Sequence, residues 1–162
     1  MSDNTTNVQA EQRNPGPNPS LKQLDGLIGT WNVTNRDLKT GREWHGRDTF
    51  EWLDGGFFLA YRHEELSEPG IKGIMLIGYE RAWGADQPSQ ELMGHWFEST
   101  SGDHFVYVWE VAGSTLTFWL GERGSTAAFR GKFSDDRKMI AGRWEWPGGG
   151  YESTMSKVTS IA

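Results

Sequence analysis

Apolar and polar positions alternate along most of this chain, and the period of the alternation changes once. Over Ser20–Leu27 (SLKQLDGL) the leucines Leu21, Leu24 and Leu27 recur at every third residue. Ser20 stands in front of them as a residue able to cap a helix, so one short helical segment is predicted there. Beyond it, apolar residues occupy every second position in short runs broken by Gly, Asp and Ser, the pattern of antiparallel strands joined by tight turns. Ten strands are predicted, at roughly 30–38, 43–53, 56–65, 71–80, 90–98, 104–111, 115–121, 126–133, 138–146 and 151–158. Most turns between them are short (LKTGR, DG, SEPG, TSGD, GS, ERGS, SDDR, PGGG), with RAWGADQPS the longest. Short turns favour pairing of each strand with the next. The expected fold is therefore all-β: a closed antiparallel up-and-down barrel of about ten strands with one short N-terminal helix.

Two hairpins show which face points inward. In TFEWLDGGFFLAYRHEE (residues 49–65), Asp54-Gly55 reads as a two-residue turn that sets Leu53 opposite Gly56. One face then gathers Trp44, Asp48, Phe50 and Trp52 with Phe57, Leu59, Tyr61 and His63. The other gathers His45, Arg47, Thr49 and Glu51 with Phe58, Ala60, Arg62 and Glu64, His45 lying opposite Glu64. The first is the inner face. Around Gly113-Ser114, Phe105, Tyr107, Trp109 and Val111 face Leu116, Phe118 and Leu120, and the next strand adds Ala127, Phe129, Gly131 and Phe133. A slip of one residue would invert either set, so each is well specified. In GRWEW, Trp144 and Trp146 are read as inward in preference to Arg143 and Glu145. In ELMGHWFES the period does not choose between His95 with Met93 and Phe97, and Trp96 with Leu92 and Glu98.

Composition narrows the picture. Nine Trp, eight Phe and four Tyr supply enough ring area to build a core poor in aliphatic residues. Residues 1–19 are polar and rich in Pro and Gly, and cannot repay their ordering entropy, so a disordered tail is expected before a single barrel domain at 20–162. A net charge of −6 disfavours nucleic acid and anionic membrane as partners. No Cys is present, which excludes disulfides and thiolate catalysis and leaves the redox compartment open. No apolar run reaches membrane-spanning length and the N-terminus lacks a secretory pattern, so a cytoplasmic location is expected.

LIGTWNV (Leu27–Val33), following a short helix, resembles the Gly-x-Trp opening of lipocalin-like barrels, the calycin group. The longer series DGGFFLAYRHE, GIMLIGYERA, GHWFESTSGD and FSDDRKMIAGRWEW is similar to a bacterial family of calycin-like barrels known only as a domain of unknown function. The resemblance covers about Leu21–Lys157. It implies a barrel around a cavity, with the Trp31 indole closing one end and Arg143 the nearest candidate to pack on it. The related haem-binding nitrobindins ligate iron through a His near the C-terminus. Here the last histidine is His104, so haem is not expected, and no other cofactor is.

The inward row of Asp48, Tyr61 and His63 carries the sharpest chemistry. It reads either as a ligand-orienting or proton-moving cluster, or as a hydrogen-bonded polar patch near the rim completed by water. The aromatic wall reads as packed core or as the lining of a pocket for a hydrophobic molecule. The candidate ligand-binding residues are Trp44, Asp48, Phe50, Tyr61, His63, His95, Tyr107, Trp109, Phe118 and Trp144. His63 and His95 are the candidate acid–base groups. No paired metal-ligand spacing, nucleophile elbow, P-loop or dinucleotide fingerprint is present, so no metal is expected. Three functions fit: binding of a small hydrophobic or aromatic molecule; a cofactor-independent isomerase, cyclase or dehydratase working through a cavity His; or an oligomeric interaction protein, a homodimer with a filled barrel, using Phe58 and Trp119 as exposed aromatics.

Overall fold

The computed structural model describes residues 16–159. Residues 1–15 of the expected tail lie outside them. The ten strands are β1 (Gly29–Asp37), β2 (Glu43–Trp52), β3 (Phe58–Glu65), β4 (Lys72–Gly78), β5 (Leu92–Glu98), β6 (His104–Ala112), β7 (Thr115–Leu120), β8 (Ala128–Phe133), β9 (Met139–Trp146) and β10 (Gly149–Lys157). Each pairs antiparallel with the next, and β1 pairs with β10 to close an up-and-down barrel without free edges.

The helical segment is a 3₁₀ helix, Pro19–Leu27. Three residues per turn place Leu21, Leu24 and Leu27 in one line, and all three are buried. The cap is Asn18 rather than Ser20: the Asn18 side chain accepts from the Ser20 amide at 2.9 Å. The helix plugs one barrel end. There the Trp31 indole, wholly buried, donates to the Leu27 carbonyl at 2.7 Å, and Trp52 Nε1 donates to Asp25 at 3.1 Å. The cation on Trp31 is Lys157, not Arg143. Lys157 is the register partner of Trp31, its Nζ sits 5.0 Å from the ring centroid, and it donates to the Gly26 carbonyl at 3.2 Å. Arg143 neighbours the inward Trp144 and so points outward, where it pairs with Glu152 at 2.7 Å.

The β2–β3 hairpin keeps its predicted faces in a different register. Asp48 pairs with His63, Phe50 with Tyr61 and Trp52 with Leu59. Gly55 and Gly56 both adopt positive φ (92° and 74°), which opens the turn to the four residues Asp54–Phe57 and brings Phe58 opposite Leu53. The shift is two residues, so parity survives; Phe57 leaves the strand for the loop, and Arg47 rather than His45 opposes Glu64. The β6–β7–β8 pairing is as read: Trp109 with Phe118, and Phe118 with Phe129.

Of the two aromatics assigned to an interface, Trp119 is buried and Phe58 is half-buried. Trp119 packs outside the barrel on Val108 and Ala128 with Met93, under the Arg123 guanidinium, while Phe58 crosses over Gly78. The exposed rings are Trp83 on the long loop, with Phe97, Phe105 and Trp146. No helix among the described residues is long and apolar enough to cross a membrane.

Candidate functional site: an aromatic cavity with a buried Asp–His–Tyr cluster

Opposite the helix plug, the barrel encloses a cavity of about 300 Å³ that opens between the loops at the other end. Its depth comes from alternation. Every second side chain of each strand points inward, and several inward positions are glycine. At Gly94 a Cβ would lie 2.6 Å from both Met75 Sδ and Trp109 Nε1, so the absence of a side chain on β5 is what admits the indole from β6.

The walls are mostly rings in contact. Phe50 stacks on Tyr61 (4.6 Å between centroids), Trp109 on Phe118 (4.4 Å), and Trp44 meets Tyr151 edge-on at 5.0 Å. Tyr107 lies 5.9 Å from Trp144, and Tyr61 lies 6.0 Å from Trp96.

Asp48 is the polar centre. It is 4% exposed; its Oδ1 lies 2.6 Å from His63 Nδ1 and its Oδ2 accepts from the Tyr61 hydroxyl at 3.2 Å. The three come together because β2 and β3 place Asp48 beside His63 and Phe50 beside Tyr61 on the inner face. Burial pushes the His63 pKa down, but the bond to Asp48 and the charges of Asp48, Glu65 and Glu64 outweigh it, so the net shift is upward. Burial, then the Asp48 charge, holds Tyr61 well above the usual phenol range. Burial with Glu98 nearby lifts Tyr107 to about 12, and burial likewise lifts Tyr151. With Nδ1 committed to Asp48, Nε2 is the His63 nitrogen left for another partner.

Two buried polar atoms of the lining make no hydrogen bond within the described residues, Trp109 Nε1 and Asn35 Oδ1. Trp109 is 2% exposed and Asn35 4%. Leaving such a group unpaired costs about 1–3 kcal/mol.

Of the residues singled out from sequence, Trp44, Asp48, Phe50, Tyr61, His63, Tyr107, Trp109, Phe118 and Trp144 line the cavity. His95 does not. It sits on the outer face of β5, with Nε2 2.7 Å from Glu80 Oε2 and its ring parallel to His104 at 5.7 Å. Trp96 takes the inward place because Gly73, across the ladder, leaves room for its six-membered ring. Sequence reading did not assign Asn35, Trp96, Glu65, Glu98, Tyr151 and Ser153 to the lining. The alternation from Trp31 through Val33 would have found Asn35, and that along β10 would have found Tyr151 and Ser153. Among the described residues, no three His, Asp or Glu side chains converge as a metal ion requires.

No protein-family model matches the chain, and no curated protein matches it. Among solved structures it is similar to Rv2717c from M. tuberculosis, at 13% identity and a TM-score of 0.53, over 88% of this chain and 99% of that one. At that identity the likeness establishes a common barrel fold and nothing about chemistry.

Proposed function

We propose that the protein is a cytoplasmic, calycin-like barrel that binds one small hydrophobic or aromatic molecule in its cavity. The observation that carries this is the lining itself: an aromatic chamber of about 300 Å³, within the range of ordinary ligand sites, with Asp48, Tyr61 and His63 as polar groups on its wall. Native mass spectrometry of the protein purified from its own host, against the denatured sample, tests the reading. A bound mass retained by the wild type and weakened in Trp109→Phe and Tyr61→Phe is expected. An unliganded protein that also fails to bind naphthalene-sized aromatics would defeat it.

The Asp48–His63 contact favours a second reading, acid–base catalysis in the same chamber. Asp48 would orient His63, and Nε2 would exchange a proton with a substrate held against the aromatic wall, as an isomerase, cyclase or dehydratase requires. Turnover whose pH–rate profile loses one limb in His63→Gln would favour it over simple binding.

A further inference from the structure

We propose that the ligand of this cavity is a cation, an aromatic molecule carrying an ammonium group, held at the mouth by Glu65 and Glu98 against the rings of Trp44, Tyr107, Trp144 and Tyr151. The inference rests on the binding reading above and specifies its chemistry.

The sign of the chamber is the first argument. Its charged lining residues are Asp48, His63, Glu65 and Glu98; no Lys or Arg is among them. Asp48 and His63 form a pair that is neutral when His63 is protonated and singly negative when it is not. Glu65 and Glu98 have no cationic partner within 4 Å among the described residues, so their charges stay uncompensated. Each is instead held in place by one local hydrogen bond, Glu65 Oε2 accepting from the Ile71 amide at 3.1 Å and Glu98 Oε1 from the Thr100 hydroxyl at 3.0 Å. Their fields reach the lining: Glu98 acts on Tyr107, and Glu65 on His63 and Tyr151. An anion entering this chamber is repelled at the mouth and finds no net positive charge inside.

The rings are the second argument. Tyr151 pairs in register with Trp144 on β9, and it meets Trp44 edge-on from its other side. Trp144 in turn lies beside Tyr107. This arc of four electron-rich rings beneath two carboxylates is the arrangement that attracts ammonium groups through ring quadrupoles. Neutral aromatics satisfy the wall alone; a cation also satisfies the mouth.

Calorimetric titration of the full chain with three probes of one shape tests this: (2-naphthylmethyl)trimethylammonium, its uncharged tert-butyl analogue, and 2-naphthylacetate, all in the same co-solvent. The cation is expected to bind about tenfold or more tighter than the neutral probe, and the anion weakest. In the double variant Glu65→Gln, Glu98→Gln the cation should lose most of its advantage over the neutral probe, the rings retaining the rest, while the neutral probe is unchanged. A neutral or anionic probe binding as tightly as the cation, or a cation preference undiminished in the double variant, overturns the charge assignment and leaves the cavity reading standing. Absence of binding by all three probes defeats both.

Discussion

Asp48 and His63 face each other across the β2–β3 ladder with 2.6 Å between Oδ1 and Nδ1, and the same carboxylate accepts from Tyr61. One buried acid thus organises both polar side chains of the inner wall. Asp48→Ala removes the acceptor of two buried donors and should destabilise the fold by about 1–3 kcal/mol in urea unfolding. It should also lower the His63 pKa, because it removes the bond and the charge that most oppose the effect of burial, as an NMR titration of the ring protons would read.

In the intact protein the linkage has a defined direction. The folded-state pKa of His63 lies above its unfolded value of 6.5, so the native state keeps a proton that the unfolded chain has released. The stability from this difference is fully present below about pH 6.5 and disappears as pH rises through the folded pKa. Wild-type protein should therefore lose stability relative to His63→Gln as pH rises from about 6.5 through the folded-state pKa, read as urea midpoints. A difference that grew with pH would contradict the assignment.

The phenols report on the same chamber at alkaline pH. Tyr61, Tyr107 and Tyr151 are all raised above the usual value of 10, Tyr107 to about 12, with burial the leading cause for each. The unfolded chain ionises them first, so the native state is destabilised above about pH 10. Ultraviolet difference titration should show these three tyrosines ionising late, or only as the barrel unfolds.

At the plugged end, Trp31 and Lys157 have unequal roles. Trp31→Ala empties a wholly buried indole site and should cost about 3–5 kcal/mol. Lys157→Met keeps the packing of the stem and forfeits the cation–ring contact and one hydrogen bond, about 1–2 kcal/mol. Denaturant unfolding of the two variants measures the gap.

The inner wall was legible in the sequence wherever a period of two could act alone. Parity alone puts Phe50, Tyr61 and His63 on one face, and a two-residue change in turn length leaves that parity intact. The register was not legible, because the length of the Asp54–Phe57 loop depends on φ at Gly56 as well as Gly55. Nor was β5: His95 and Trp96 alternate equally well, and the choice is made on another strand, where Gly73 vacates the space that Trp96 fills. Lys157 was hidden for a similar reason. Its place over Trp31 follows from the β1–β10 closure, a pairing between chain ends that no local pattern announces. Glu65 and Glu98 obey the inward parity, yet a charge at the end of a strand reads as solvated until the barrel closes around it.

The cavity account is tested most directly by the Trp109 indole N–H resonance, identified by its loss in Trp109→Phe, during titration with the neutral and cationic naphthyl probes. The buried N–H lacks a partner, and Trp83 on the long loop is fully exposed. Saturable movement of the Trp109 signal with either probe, while Trp83 and the outer-face Trp119 stay still, is the predicted result. Movement confined to Trp83 or Trp119, with Trp109 unchanged at saturation, would place the binding on the surface and contradict the account.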